Sequence, residues 1–322
     1  LELQMTKIGV QSLAIEAYWR WVFAGRKQVV YDELLAIALE RDRGLTDQVA
    51  RGALAEIFLT ENQRNITRRR SRSIAAQAEL NRAANRLGLY YRNAAGMPQT
   101  PSPEQLPINA SLTLSPPAPP SALQETISMQ PELLQLRVAA ERAQRKLSLS
   151  ENALKPTLDF GVEVGTPLGE VGEGGVSRDT TDTIVGLKFS VPLARRTAKA
   201  EVEQSRLELR AIEERQRQTN DRLQLEITEI LIELRLAREL AELSQQEVEL
   251  ASALVQAETR RFEEGASDFF LVNIREETEA GARIEALAAA LRHRLARAEY
   301  DAVTLDFDRL GLTPRAAAAQ TR

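Results

Sequence analysis

From residue 194 to residue 262 the chain holds neither proline nor glycine, and few folds accept an uninterrupted run of that length. At about 1.5 Å of rise per residue, one helix over it would reach roughly 100 Å, more than an ordinary globular core requires. Within it Leu223, Ile227, Ile230, Leu234, Ala237, Ala241, Ser244, Val248, Ala251 and Val255 follow a 4-3-4-3 spacing, the seam of a supercoiled helix. Many seam residues are small, which lets a neighbouring helix approach closely. Composition agrees: 27% of residues are charged and only 5% aromatic, the balance of long helices rather than of a compact α/β enzyme.

The same composition excludes several functions. Net charge is −4 and acids are interleaved with bases throughout, so no nucleic-acid partner is expected. The run Arg68-Arg69-Arg70 reads as a solvated helix face. There is no cysteine, hence no disulfide, thiolate nucleophile or Cys-based metal site. His293 is the single histidine, set between Arg292 and Arg294, and reads as a surface helix residue. Glu201 with Glu203 and Glu276 with Glu277 resemble carboxylate pairs, but neighbours one or two apart do not share a helix face. No glycine-rich loop joins a strand to a helix for phosphate binding. No catalytic residue, metal or cofactor is therefore expected, and the chain does not read as an enzyme. No apolar run reaches the roughly 18 residues of a membrane-spanning helix.

In order, residues 1–92 read as two helices, 1–49 and 57–92, joined by a reversal at 49–56; Trp19, Trp21, Val22 and Phe23 form the bulkiest patch. Residues 93–120 hold most of the 13 prolines and must be an extended crossover. Residues 121–322 then give an ascending helix (121–154), a β-hairpin (155–193), the descending helix (194–262), an ascending helix (267–310) and a tail. Gly265 reads as the stop of the descending helix, and Ser267 or Asp268 as the N-cap of the next. That helix places Ile284, Leu287, Leu291, Leu295, Ala298, Ala302 and Leu305 on one face. Gly311 and Pro314 end it.

In the hairpin, Leu158, Phe160, Val162 and Val164 alternate with Asp159, Gly161, Glu163 and Gly165, and Val185, Leu187, Phe189 and Val191 with Gly186, Lys188 and Ser190. Period-2 geometry gives each arm one apolar row. A glycine-rich tip spans 166–182, and Pro192 closes the second arm. Each arm has about ten residues, enough for a tilted strand to cross a bilayer as part of a barrel. The arms alone favour a hairpin of a soluble sheet, because a dyad signal is weak.

An internal repeat bears on the choice. Setting Gly52-Ala53 on Gly265-Ala266 places Val10, Ala14, Ala17, Trp21, Ala24, Leu35 and Ala38 on the seam positions of 223–251, with Gln28 the clearest mismatch. The first repeat lacks a counterpart to the ascending helix and hairpin of the second. The chain starts Leu-Glu-Leu-Gln, without Met and already in a helical pattern, so a second hairpin is expected upstream of residue 1, in an N-terminally truncated sequence.

Helix, hairpin, very long helix, glycine-marked reversal and returning helix, duplicated about a Pro-rich crossover, resembles the TolC family of outer-membrane efflux proteins. The residues carrying the likeness are QPELLQLRVAAERAQRKLSLSENALKPTLDFGVEVG (130–165), GLKFSVPL (186–193), RRFEEGASDFFLV (260–272) and ALAAALRHRLARAEYDAVTL (286–305), with IEAYWRWV (15–22) and RGALAEIFLTENQRNITRRR (51–70) in the first repeat. The resemblance implies a mainly α fold of very long antiparallel coiled-coil helices with a membrane β-hairpin: a homotrimer with a periplasmic α-barrel and a shared outer-membrane β-barrel. It implies the exit duct of a tripartite efflux or type I secretion system, fed by an inner-membrane transporter through a periplasmic adaptor. The adaptor would dock at Val49, Arg51, Gly52, Ala53, Phe262, Gly265, Ala266, Ser267 and Asp268. Phe160, Val162, Val164, Leu187, Phe189 and Val191 would face outer-membrane lipid, and Asp159, Glu163 and Lys188 a wet lumen.

The likeness departs at one point. Some family members carry acidic residues six and nine positions beyond the tip glycine, and here those positions are Leu271 and Ile274. Asp268, Asn273, Glu276 and Glu277 are the nearest polar residues, each expected on a solvated face. The alternative to the duct is a soluble coiled-coil scaffold or periplasmic adaptor with an ordinary small sheet.

Overall fold

The structure is a computed structural model that describes residues 2–107, 123–165, 181–191 and 195–312. The hairpin tip over 166–180, the strand-closing Pro192, the helix stop Pro314, the crossover from 108 to 120 and the tail from 313 lie outside the described residues.

The chain divides into two compact units, residues 1–127 with 223–322, and residues 128–222. The first unit is helical. It contains α1 (Glu2–Ala50), α2 (Glu56–Leu87), the second part of α5 (Arg196–Glu263) and α6 (Phe269–Val303). Ala17, Trp21, Val22 and Ala24 of α1 pack on Leu80, Ala84 and Leu87 of α2. Val30 and Leu34 of α1 meet Ala280 of α6, and Ile230 and Leu234 of α5 meet Ala296 and Tyr300 of α6. The α5 seam lies where the 4-3 spacing puts it, with Leu223, Ile227, Ile230, Leu234, Ala237, Ala241 and Ala251 buried. On α1, Ala17, Trp21, Ala24 and Ala38 are buried, Gln28 is half-buried and donates to Asp32 at 2.9 Å, and Val10 is exposed.

The seam of α6 differs from the expected one. Ile284, Leu287, Leu291 and Leu295 are only half-buried, whereas Phe269, Asn273, Glu276, Ala280, Ala290, His293, Arg297 and Tyr300 are buried. The deepest face is a partly polar row next to the apolar one, and hydrophobic periodicity does not register it. This helix also stops at Val303, short of residue 310. Leu305 adopts φ 56°, and the Asp306 and Leu305 amides donate back to the Asp301 and Ala302 carbonyls, a Schellman closure.

After α2 the crossover folds back through a bridge between Arg92 and Pro98 and a 3-10 turn at Pro103–Gln105. Its Leu106 sits on α1, where a Cβ added to Gly25 would lie 2.5 Å from Leu106 Cδ1. Gly25 therefore makes a socket for the crossover.

In the second unit α4 (Pro131–Asn152) runs beside the first part of α5, joined by Lys146 to Glu208 at 2.6 Å and Ser150 to Ser205 at 3.0 Å. The single ascending helix expected over 121–154 is split. A short α3 (Leu123–Ser128) ends before Met129 and Gln130, and α4 begins on Pro131. Proline has no N–H to continue a helix, and its fixed φ suits a first position. The strands β1 (Thr157–Gly165) and β2 (Asp182–Ser190) form an antiparallel pair.

Ala237 has no exposed surface, so enlarging it must push α5 from its neighbours. Ala237→Leu is expected to destabilise the fold by about 1–3 kcal/mol in chemical denaturation, and Ala257→Leu, at an exposed position of the same helix, to change little.

Candidate functional site

The register of the hairpin decides what each of its faces presents. Leu158 pairs with Phe189, Phe160 with Leu187, and Val162 with Val185. Directly opposed residues share a face, so the two apolar rows merge into one surface. The reverse face opposes Asp159 to Lys188 and Gly161 to Gly186. Ile184, opposite Glu163, is its apolar exception. The large apolar residues of both strands are 55% to 70% exposed, an arrangement that water would oppose. Val191 lies one residue past β2 and is also exposed. Among the described residues the sheet has two strands, so each leaves one edge unpaired.

At the C-terminal ends of α1 and α5 the chain reverses with one device. The Gly52 amide donates to Val49 O at 2.9 Å and the Ala53 amide to Gln48 O at 2.9 Å. The Gly265 amide donates to Phe262 O at 3.0 Å and the Ala266 amide to Arg261 O at 2.7 Å. Both are Schellman motifs, and their left-handed residues are Gly52 (φ 69°) and Gly265 (φ 73°). Asp268 caps α6 by accepting from the Leu271 amide at 2.8 Å. Arg51, Gly52, Ala53, Phe262, Gly265, Ala266 and Asp268 are exposed, while Val49 and Ser267 are half-buried. The ring of Phe58 lies 6.2 Å from Phe269 and 5.6 Å from Phe270, which joins the starts of α2 and α6.

Behind the reversals lies a cluster that the sequence placed in solvent. Asn273 and Glu276 are buried, and Arg69 has no exposed surface. Arg69 donates to Leu34 O at 2.8 Å, to Glu276 Oε2 at 2.9 Å and to Glu277 Oε1 at 3.2 Å. Arg41 donates to Asn273 Oδ1 at 3.0 Å and also pairs with Glu276. Arg68 and Arg72 converge on Glu277. The reason for the reversal is pairing: the ions enter the interior as a group, each charge compensated. Burial pushes the Glu277 carboxyl up, but the Arg72 hydrogen bond and the charges of Arg68, Arg72 and Arg69 outweigh it and hold it below the usual range. His293 is a second correction. It is 2% exposed, because the polar row of α6 turns inward.

Three outcomes test this geometry. Glu276→Ala leaves Arg69 buried with one partner fewer and is expected to cost about 3–5 kcal/mol in denaturation. A carboxyl lowered by folding stabilises above its unfolded pKa and loses that contribution as pH falls through its folded pKa. Stability should therefore drop below about pH 4.5, the ordinary glutamate value, and Glu277→Gln should flatten that drop. Gly265→Ala has open space for its methyl group yet should cost about 1–2 kcal/mol through the left-handed backbone alone.

Comparison with solved structures places the fold. A membrane protein from Pseudomonas aeruginosa superimposes with a TM-score of 0.76 at 13% identity, over 93% of this chain and 68% of that one. CusC, whose structures concern folding and transmembrane channel formation, gives 0.76 at 15% identity, over 94% and 69%. The open state of the Neisseria gonorrhoeae MtrE outer membrane channel gives 0.73 at 16% identity, over 94% and 67%. The chain thus spans about two thirds of each. No curated protein matches its sequence. The profile of the outer membrane efflux proteins matches residues 122–302, more than half of the chain, and the chain belongs to that family, the TolC family to which its motifs point.

Proposed function

We propose that this chain works as a homotrimer, a passive exit duct that carries substrates from an inner-membrane transporter across the periplasm and outer membrane. The observation that carries the reading is the hairpin, whose merged apolar face is exposed and whose outer edges have no partner strand among the described residues. In lipid every strand edge must be satisfied, so hairpins can span a membrane only by closing into a ring. The two strands among the described residues cannot close a ring alone, whereas hairpins of several copies can. A second apolar row on α5 agrees. Ile232, Leu236, Leu240, Leu243, Leu250 and Leu254 are exposed beside the buried seam, at spacings that suit a further helix from another copy.

In this reading Phe160, Val162, Val164, Leu187, Phe189 and Val191 face lipid, and Asp159, Glu163 and Lys188 face the lumen. The reversals at Val49, Arg51, Gly52 and Ala53 and at Phe262, Gly265, Ala266, Ser267 and Asp268 receive the periplasmic adaptor. They suit that role because Schellman closures hold a short, exposed, backbone-rich surface in one conformation. The duct transforms nothing and needs no cofactor.

The test is fractionation and cross-linking of the protein expressed with its export signal. The expected result is a trimer in the outer membrane, and a soluble monomer would overturn it. Val162→Arg should reduce barrel stability by about 2–4 kcal/mol near mid-bilayer, whereas a solvent-facing strand would tolerate it.

A further inference from the structure

Between α2 and α6, beside the buried ion cluster, opens a cavity of about 720 Å³ that Tyr31 of α1 also lines. Its size suits a small organic ligand. The wall on α2 is cationic: Arg64, Arg68 and Arg72 follow one another at intervals of four residues and so share a helix face. The wall on α6 is apolar and includes Phe270, Ile274 and Ile284. Phe270 is 40% and Ile274 58% exposed, so apolar surface stands in water beside the guanidiniums.

The cationic wall is under-compensated. Arg68, Arg69 and Arg72 all pair with Glu277, and Arg69 and Arg41 with Glu276. Four guanidiniums thus meet two carboxylates in this network, and two positive charges remain. Arg64 and Glu61 offset each other at 2.9 Å. Glu285, the remaining acid of the lining, lies two turns beyond Glu277, about 12 Å along the helix axis. The surplus has donors to spare. Among the described residues Arg68 bonds Asn65 and Glu277 through Nη2, and Arg72 bonds Glu277 through Nη1, whereas a guanidinium carries five N–H groups. The two side chains are 42% and 43% exposed, which leaves those donors within reach of a ligand.

We infer that this cavity binds an amphipathic organic anion, its charged head on Arg68 and Arg72 and its apolar body against Phe270 and Ile274. Two independent features point to that class, the charge surplus on α2 and the exposed apolar wall on α6. A compact inorganic anion would meet the first and leave the second in water, and a neutral apolar molecule would do the reverse. The site is formed by α1, α2 and α6 of one chain and does not rest on the export reading.

A fluorinated probe makes the site observable. The full chain in a non-ionic detergent would be titrated with 4-fluorobenzoate and with 4-fluorobenzyl alcohol, followed by fluorine NMR, and inorganic phosphate would be added as competitor. Saturable 4-fluorobenzoate binding is expected, with the alcohol and phosphate each weaker by about tenfold or more, as loss of a charge-assisted contact or of the apolar contact implies. Arg72→Gln should weaken 4-fluorobenzoate by about tenfold, while Arg70→Gln, an exposed cation of the same helix outside the lining, should leave it unchanged. Ile274→Glu would set a carboxylate among the cations and should bind about fivefold or more weaker than Ile274→Gln, which changes shape alike without the charge. This pair, at an exposed position, decides the matter if Arg72→Gln loses helicity. Absence of saturable binding, equal binding of the alcohol, equal binding of phosphate, an Arg70→Gln loss as large as that of Arg72→Gln, or equal affinity in Ile274→Glu and Ile274→Gln would each overturn the inference.

Discussion

A guanidinium without exposed surface must find all its partners where it lies, and Arg69 finds them on two other helices. Its three bonds reach Leu34 O on α1 and Glu276 and Glu277 on α6. Arg41 approaches Glu276 from α1. Sliding any one helix by a residue would strand a charge in the interior, and an uncompensated buried charge is among the most destabilising defects a fold can carry. An apolar seam tolerates some slippage; a planar fork of donors tolerates little. The cluster thus fixes the register of α1, α2 and α6, and with it the position of both reversals.

Close packing makes that arrangement possible. Small residues line the buried faces, among them Ala17, Ala24 and Ala38 on α1, Ala237 and Ala241 on α5, and Ala280, Ala290 and Ala296 on α6. Short side chains bring the backbones together, so Arg69 can reach a main-chain carbonyl of the next helix. The same economy of space lets Leu106 sit on Gly25 and hold the crossover against α1.

The two units treat solvent in opposite ways. The helical unit takes Arg69, Glu276, His293 and Arg297 inside, while the hairpin turns Phe160, Val162, Leu187 and Phe189 outward. Paired charges can be buried because their partners replace water. Apolar strands can be exposed only where the surroundings are themselves apolar. The exposed apolar face of the hairpin is consistent with an outer membrane efflux protein.

Much of this was legible in the residues. The absence of proline and glycine from 194–262, the 4-3 spacing of its seam, the glycines at 52 and 265 and the dyad of the strands act through local geometry, and local geometry is what a linear pattern encodes. The family likeness, too, lay in the order of those elements. The inward turn of Asn273 and Glu276 was not legible, nor the burial of Arg69, because a polar or charged side chain reads as solvated until its partner is known. The carboxylates that compensate Arg69 are more than 200 positions away along the chain. By itself, the sequence determined the helices, their reversals and the apolar face of the hairpin. Only the tertiary structure decided which polar residues are interior, since a buried charge is tolerable only once distant segments have brought its counter-charge beside it.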